Sequence, residues 1–123
     1  MTKKAKYIIM VGGHNHVSTT AKTGSQVRQR NMIKLQRVVD DLGYKDKDLR
    51  KVIYYIITMI MVDDGILEIK DGYYLDGSRY LVFHNLEEER YFAIEKPQID
   101  VGRENELKQE IGAVVREKLA TLS

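Results

Sequence analysis

The chain has 123 residues, 43% apolar and 31% charged, a formal net charge of +2 and no cysteine. The length suits a single domain with its own core, and the missing thiols exclude a disulfide framework or a thiolate metal site. The most apolar run, "VIYYIITMIMV" (Val52–Val62), is well short of the about 20 residues that a membrane helix needs.

The charge is unevenly placed. Residues 1–62 hold 12 Lys/Arg against 4 Asp/Glu, and residues 63–123 hold 8 against 14. No acidic residue occurs before Asp40. Such asymmetry points to an anionic partner for the basic half, or to attraction between the halves.

In chain order, Met1–Lys6 is expected to be a basic tail, and the apolar stretch Tyr7–Val11 is too short for a signal core. "KYIIMV" reads as a short strand. "GGHNHVSTTAKTG" (Gly12–Gly24) reads as a flexible loop rich in glycine and hydroxyl groups. A helix is predicted from about Ser25 to Leu42, stopped by Gly43. At 100° steps Val27, Leu35, Val38, Val39 and Leu42 share one side, with Met32 at the edge. Gln26, Arg30, Lys34 and Arg37 fall opposite, as a basic outer stripe.

Asp46 or Asp48 is placed to cap the next element, and Asp63-Asp64-Gly65 to end it. Its β-branched content favours a strand, but its length and cap favour a helix, which is the expectation. Being apolar all round, it would be buried on most sides. "ILEI" and "YYL" flank Asp71-Gly72, which predicts a tight hairpin turn there. "RYLVFHN" and "RYFAIEK" flank "LEEE" and predict a second hairpin. In it Leu81 and Phe83 share a face with Phe92 and Ile94, and Tyr80, Val82 and His84 point the other way. The last helix, about Gly102 to Leu122, carries Leu107, Ile111, Val114, Val115 and Leu119 as its stripe. The predicted order is β-α-α-β-β-β-β-α. That is a small single α+β domain over residues 1–123, with an antiparallel sheet of two hairpins plus an N-terminal strand, and three helices.

Several chemistries fail on spacing. Lys22 precedes Gly24, whereas a nucleotide-binding loop needs lysine directly after its second glycine. His14 and His16 with His84 make an incomplete metal set, because nothing places His84 beside the loop. No nucleophile elbow is present. No catalytic residue, metal ligand or cofactor is expected, and an enzyme built on His14, His16 and Lys22 is the weakest reading.

From Ser25 onward, over about 50 residues, the layout resembles winged helix-turn-helix domains: a helix, a Gly turn, a strand, a wing turn (Lys70-Asp71-Gly72) and a second strand. The helix before the wing is too apolar for ordinary base reading, and Glu68, Asp71 and Asp76 on the wing would repel phosphates. The expected contacts therefore lie earlier. Lys3, Lys4, Lys6 and Lys22 would neutralise phosphates diffusely. Thr23 and Ser25 would offer a helix N-terminus, and Arg28, Arg30, Lys34 and Arg37 would make ordered contacts. Tyr73, Tyr74, Tyr80 and Tyr91 are further candidates, for base stacking.

The sequence thus predicts a small, non-enzymatic, cytoplasmic nucleic-acid-binding protein. DNA is favoured over RNA, no membrane is involved, and the final helix or Val52–Val62 would form a homodimer. The alternative is an accessory or inhibitor module that docks on an acidic partner surface through the same cations.

Overall fold

The computed structural model describes residues 8–11, 14–17, 30–87 and 89–122. Three helices lie on one face of a sheet, in the order β1 (Ile8–Val11), β2 (His14–Val17), α1 (Arg30–Leu42), α2 (Lys47–Asp63), β3 (Leu67–Leu75), β4 (Ser78–Asn85), β5 (Arg90–Glu95) and α3 (Val101–Thr121). The α+β class is as expected, and two helices followed by a hairpin fit a winged-helix-like layout.

Val52–Val62 is helical, within α2. Its start is fixed by Asp46, whose carboxylate accepts from the backbone N–H groups of Asp48 and Leu49 at 2.9 and 3.1 Å. Gly65, at φ 79°, receives the chain just past its end. Ile53 to Thr58, Ile60 and Met61 are all buried. Tertiary cover on nearly every side outweighs the weak helix propensity of the β-branched residues. Thr58 completes its own needs by donating to the Tyr54 carbonyl at 2.7 Å.

The sheet order is β2-β1-β5-β4-β3. β3, β4 and β5 form an antiparallel meander. β1 runs parallel to β5, pairing Ile8 with Phe92 and Met10 with Ile94, and β2 runs antiparallel to β1. Within the stretch expected to be one loop, Gly12–Gly24, His14–Val17 thus form a strand; 12–13 and 18–24 lie outside the described residues, as does the tail 1–6.

The first hairpin differs from expectation. Asp71-Gly72 is not its turn: β3 continues through it, with a bulge between Ile69 and Asp71. The turn is Asp76-Gly77, at φ 52° and 83°, the double left-handed geometry of a type I′ turn. The two Asp-Gly pairs send the same local signal. The later one wins because it gives strands of nine and eight residues instead of two short arms, and hence a longer ladder. The expected separate strand "YYL" is the end of β3, so the observed order is β-β-α-α-β-β-β-α.

The second hairpin is as read. Leu81 pairs with Ile94 and Phe83 with Phe92, and all four join the core with Leu35, Val38, Ile57 and Ile111. Tyr80, Val82 and Ala93 form a smaller cluster on the opposite face. In α3, Leu107, Ile111, Val115 and Leu119 are buried at four-residue spacing. Val114 is 38% exposed and does not belong to that stripe.

Two predictions follow from these contacts. Gly77→Ala is expected to lower stability by about 1 kcal/mol or more, because alanine resists the left-handed region. Gly72→Ala has only to displace the tip of Arg79, 2.8 Å from the added Cβ. Urea unfolding compares them, and a larger loss at Gly72 would return the turn to Asp71-Gly72. The second prediction concerns alkali. Burial pushes the hydroxyls of Tyr54 and Tyr55 up from 10.0 to about 12. A raised folded-state value favours the neutral form, so this stability is complete below pH 10 and is lost as pH climbs toward 12. A Tyr54→Phe, Tyr55→Phe variant should lose less stability across that window.

Candidate nucleic-acid interface

The outer face of α1 is set by what its inner face buries. Met32, Leu35, Val38 and Val39 are buried, which leaves Arg30 and Arg37 exposed and Lys34 half-buried. With 100° per residue, the three cations span about 60° of the helix circumference and about 10 Å along its axis. No acidic residue stands in the first turn, where carboxylates commonly favour the helix dipole.

Asn31 fixes the described start of this helix on the sheet. It is 2% exposed. Its Nδ2 donates to Asn85 Oδ1 at 2.9 Å and to Glu87 Oε1 at 3.0 Å. Asn85, at the end of β4, is wholly buried. One amide thus ties α1 to β4 and to the β4–β5 turn, one residue away from Arg30. Asn31 is not among the site residues expected from the sequence. The signal was present: Asn31, Leu35, Val38 and Leu42 fall on one side of the helix, so a polar residue sits inside the apolar stripe.

Acidic groups stand nearby. Lys34, Glu87, Asp64 and Arg116 line a cavity of about 270 Å³ with Asn31 on its wall. Arg116 is committed to Asp64 through two hydrogen bonds of 2.8 and 2.9 Å. Other ion pairs also close within one half of the chain: Arg50 with Asp40 at 2.7 Å and Lys108 with Asp63 at 3.1 Å. Lys51 with Glu95, at 3.4 Å, crosses between the halves. Attraction between the basic and acidic halves is therefore one part of the pairing, beside pairs that each half makes for itself.

Of the expected site residues, Arg30, Lys34 and Arg37 are brought to one face. Lys3, Lys4, Lys6, Lys22, Thr23, Ser25 and Arg28 lie outside the described residues. The histidines are not assembled. His14 and His16 are on β2 and His84 is on β4, with β1 and β5 between them. Three inter-strand spacings separate them by roughly 14 Å. His84 instead stacks on Tyr91, ring centroids 4.7 Å apart, between Glu68 and Glu89, each at 3.5 Å. Among the described residues no group of three or more His, Asp or Glu is placed to hold a metal, and no helix is long and apolar enough to cross a membrane. Of the tyrosines, Tyr73 and Tyr80 stack on each other at 5.4 Å, while Tyr74 is 71% exposed.

Asn31→Ala is expected to cost about 1–3 kcal/mol, because Asn85 keeps a buried carbonyl oxygen that has lost this donor. Urea unfolding measures it; a loss within a few tenths would mean that the amide does not anchor α1. No family model, curated protein or solved structure matches the chain, so the site's chemistry rests on its own residues.

Proposed function

We propose that the chain is a non-enzymatic nucleic-acid-binding protein, DNA favoured over RNA, that grips phosphates through the outer face of α1. The observation that carries this reading is the alignment of Arg30, Lys34 and Arg37 on a single helix face, held by the buried Asn31 amide. The cations Lys3, Lys4, Lys6, Lys22 and Arg28 add charge of the same sign in a stretch with no acidic residue. Contacts of this kind are made to the backbone, so affinity is salt-dependent and tolerant of sequence. The helix usually used for base reading is unavailable, because α2 is buried. Thr23 and Ser25 belong to the same proposal as phosphate contacts ahead of α1.

A cytoplasmic homodimer is part of the proposal, but α2 does not supply its contact. Of the two elements expected to form it, α2 is already covered within one chain, which leaves α3.

The test is duplex binding followed by fluorescence anisotropy between about 50 and 200 mM salt. Wild-type protein should bind a mixed-sequence duplex with a steep salt slope. Arg30→Ala with Arg37→Ala should reduce that slope by about 2, one per lost phosphate contact. Absence of binding at the lowest salt would overturn the proposal and favour an acidic protein partner for the same cations.

A further inference from the structure

A second cationic site lies at the other end of the domain. β3 and β4 pair Tyr74 with Arg79. The backbone N–H of Lys96 donates to the Arg79 carbonyl at 2.8 Å. Tyr74, Arg79 and Lys96 are therefore consecutive neighbours across the end of the sheet, and cross-strand neighbours share a face. That face is the helix side, because Arg79 is in step with Leu81 and Phe83 and Lys96 Nζ sits over the Tyr55 ring of α2, 5.6 Å from its centroid. The row opens into a cavity of about 730 Å³ between the hairpin tip and the start of α3.

The cavity carries two cations and two carboxylates that do not pair with one another. Its two carboxylates are committed elsewhere: Glu95 pairs with Lys51 at 3.4 Å, and Asp100 caps α3 by accepting from the Arg103 backbone N–H at 2.8 Å. Its two cations touch rings instead. The Arg79 guanidinium lies over Tyr74, 5.1 Å from the centroid, and Lys96 lies over Tyr55. Among the described residues neither has a carboxylate at ion-pair distance. Two cations beside a tyrosine that is 71% exposed suit a ligand with both an aromatic face and an anionic group. Cations and aromatic rings in one groove are the recurring means of holding single-stranded nucleic acid.

We propose that this cavity binds a nucleotide unit of single-stranded nucleic acid, its base on the Tyr74–Arg79 pair and its phosphate on Arg79 and Lys96. The inference rests on the nucleic-acid reading above, but on none of the residues of α1. It divides the work between two ends of the domain: α1 takes duplex phosphates, and the hairpin tip takes an unpaired nucleotide. The Ser78 hydroxyl lines the same cavity and can donate to a sugar or phosphate oxygen.

The full chain is titrated into a labelled oligothymidylate of about 10 nucleotides, within the range that one small binding face covers. Free thymidine monophosphate is measured in parallel. Tyr74→Ala removes an exposed ring and should weaken oligonucleotide binding about fivefold or more, the equivalent of one lost stacking contact. Arg79→Gln with Lys96→Gln should weaken it and flatten its salt dependence. Urea unfolding of each variant checks that the fold is retained. Equal sensitivity of the monophosphate to these variants supports the site and makes free nucleotide its source; selective loss of the oligonucleotide makes the strand its source. Tyr74→Ala at wild-type affinity overturns this inference alone. Wild type that binds neither duplex, oligothymidylate nor monophosphate overturns both proposals. Sensitivity at Tyr74 with a silent Arg30→Ala, Arg37→Ala variant sinks only the role of α1.

Discussion

The structure depends on the burial of α2. A helix whose residues from Ile53 to Met61 are nearly all buried is a central rod, not an amphipathic surface helix, and everything else is arranged to cover it. α1 and α3 pack along its flanks and the inner face of β4 and β5 closes beneath it. Because α2 is central, the basic face of α1 is left outward, and Tyr74 and Leu75 at the tip of the β3–β4 hairpin are left exposed. Both proposed binding surfaces are consequences of that arrangement.

Polar groups carried into this interior are few and handled locally. Thr58 bonds to its own helix, and Asn31 and Asn85 bond to each other, so neither leaves a costly unmet group. Among the described residues the Tyr54 hydroxyl and His84 Nδ1 are buried and make no hydrogen bond. The Tyr55 hydroxyl donates to Glu104 of α3 at 3.2 Å and so joins two of the helices. Tyr54 therefore contributes through its ring, and Tyr55 through both ring and hydroxyl.

Much of this fold was legible where one local rule acted without a competitor. The stop at Gly65 and the alternation of β4 and β5 each follow from residues only a few positions apart, whereas the cap, expected at Asp46 or Asp48, is made by Asp46. Legibility failed where two sites sent the same local signal. Asp71-Gly72 and Asp76-Gly77 are equivalent as dipeptides, and the choice between them is made by ladder length across β3 and β4, a property of the pair of strands. It failed again where the partner was distant. Nothing near Ile8 announces Phe92. For the site, periodicity alone gave the α1 stripe. The row Tyr74–Arg79–Lys96 was hidden, because it exists only once the turn is placed at Asp76-Gly77.

The parallel pairing of β1 with β5 has a kinetic consequence. Ile8 meets Phe92 across most of the chain, whereas β4 meets β5 through a short turn. Closing the long connection from an unfolded chain costs roughly 2–3 kcal/mol more loop entropy than closing the turn. That difference shrinks once α1, α2 and the meander have formed, since the intervening chain is then compact. Docking β1 last is accordingly the cheaper route. Until it docks, β5 is an open edge bearing Phe92, Ala93 and Ile94, the kind of strand on which a neighbouring chain can add itself. Pairing with β1 removes that open edge.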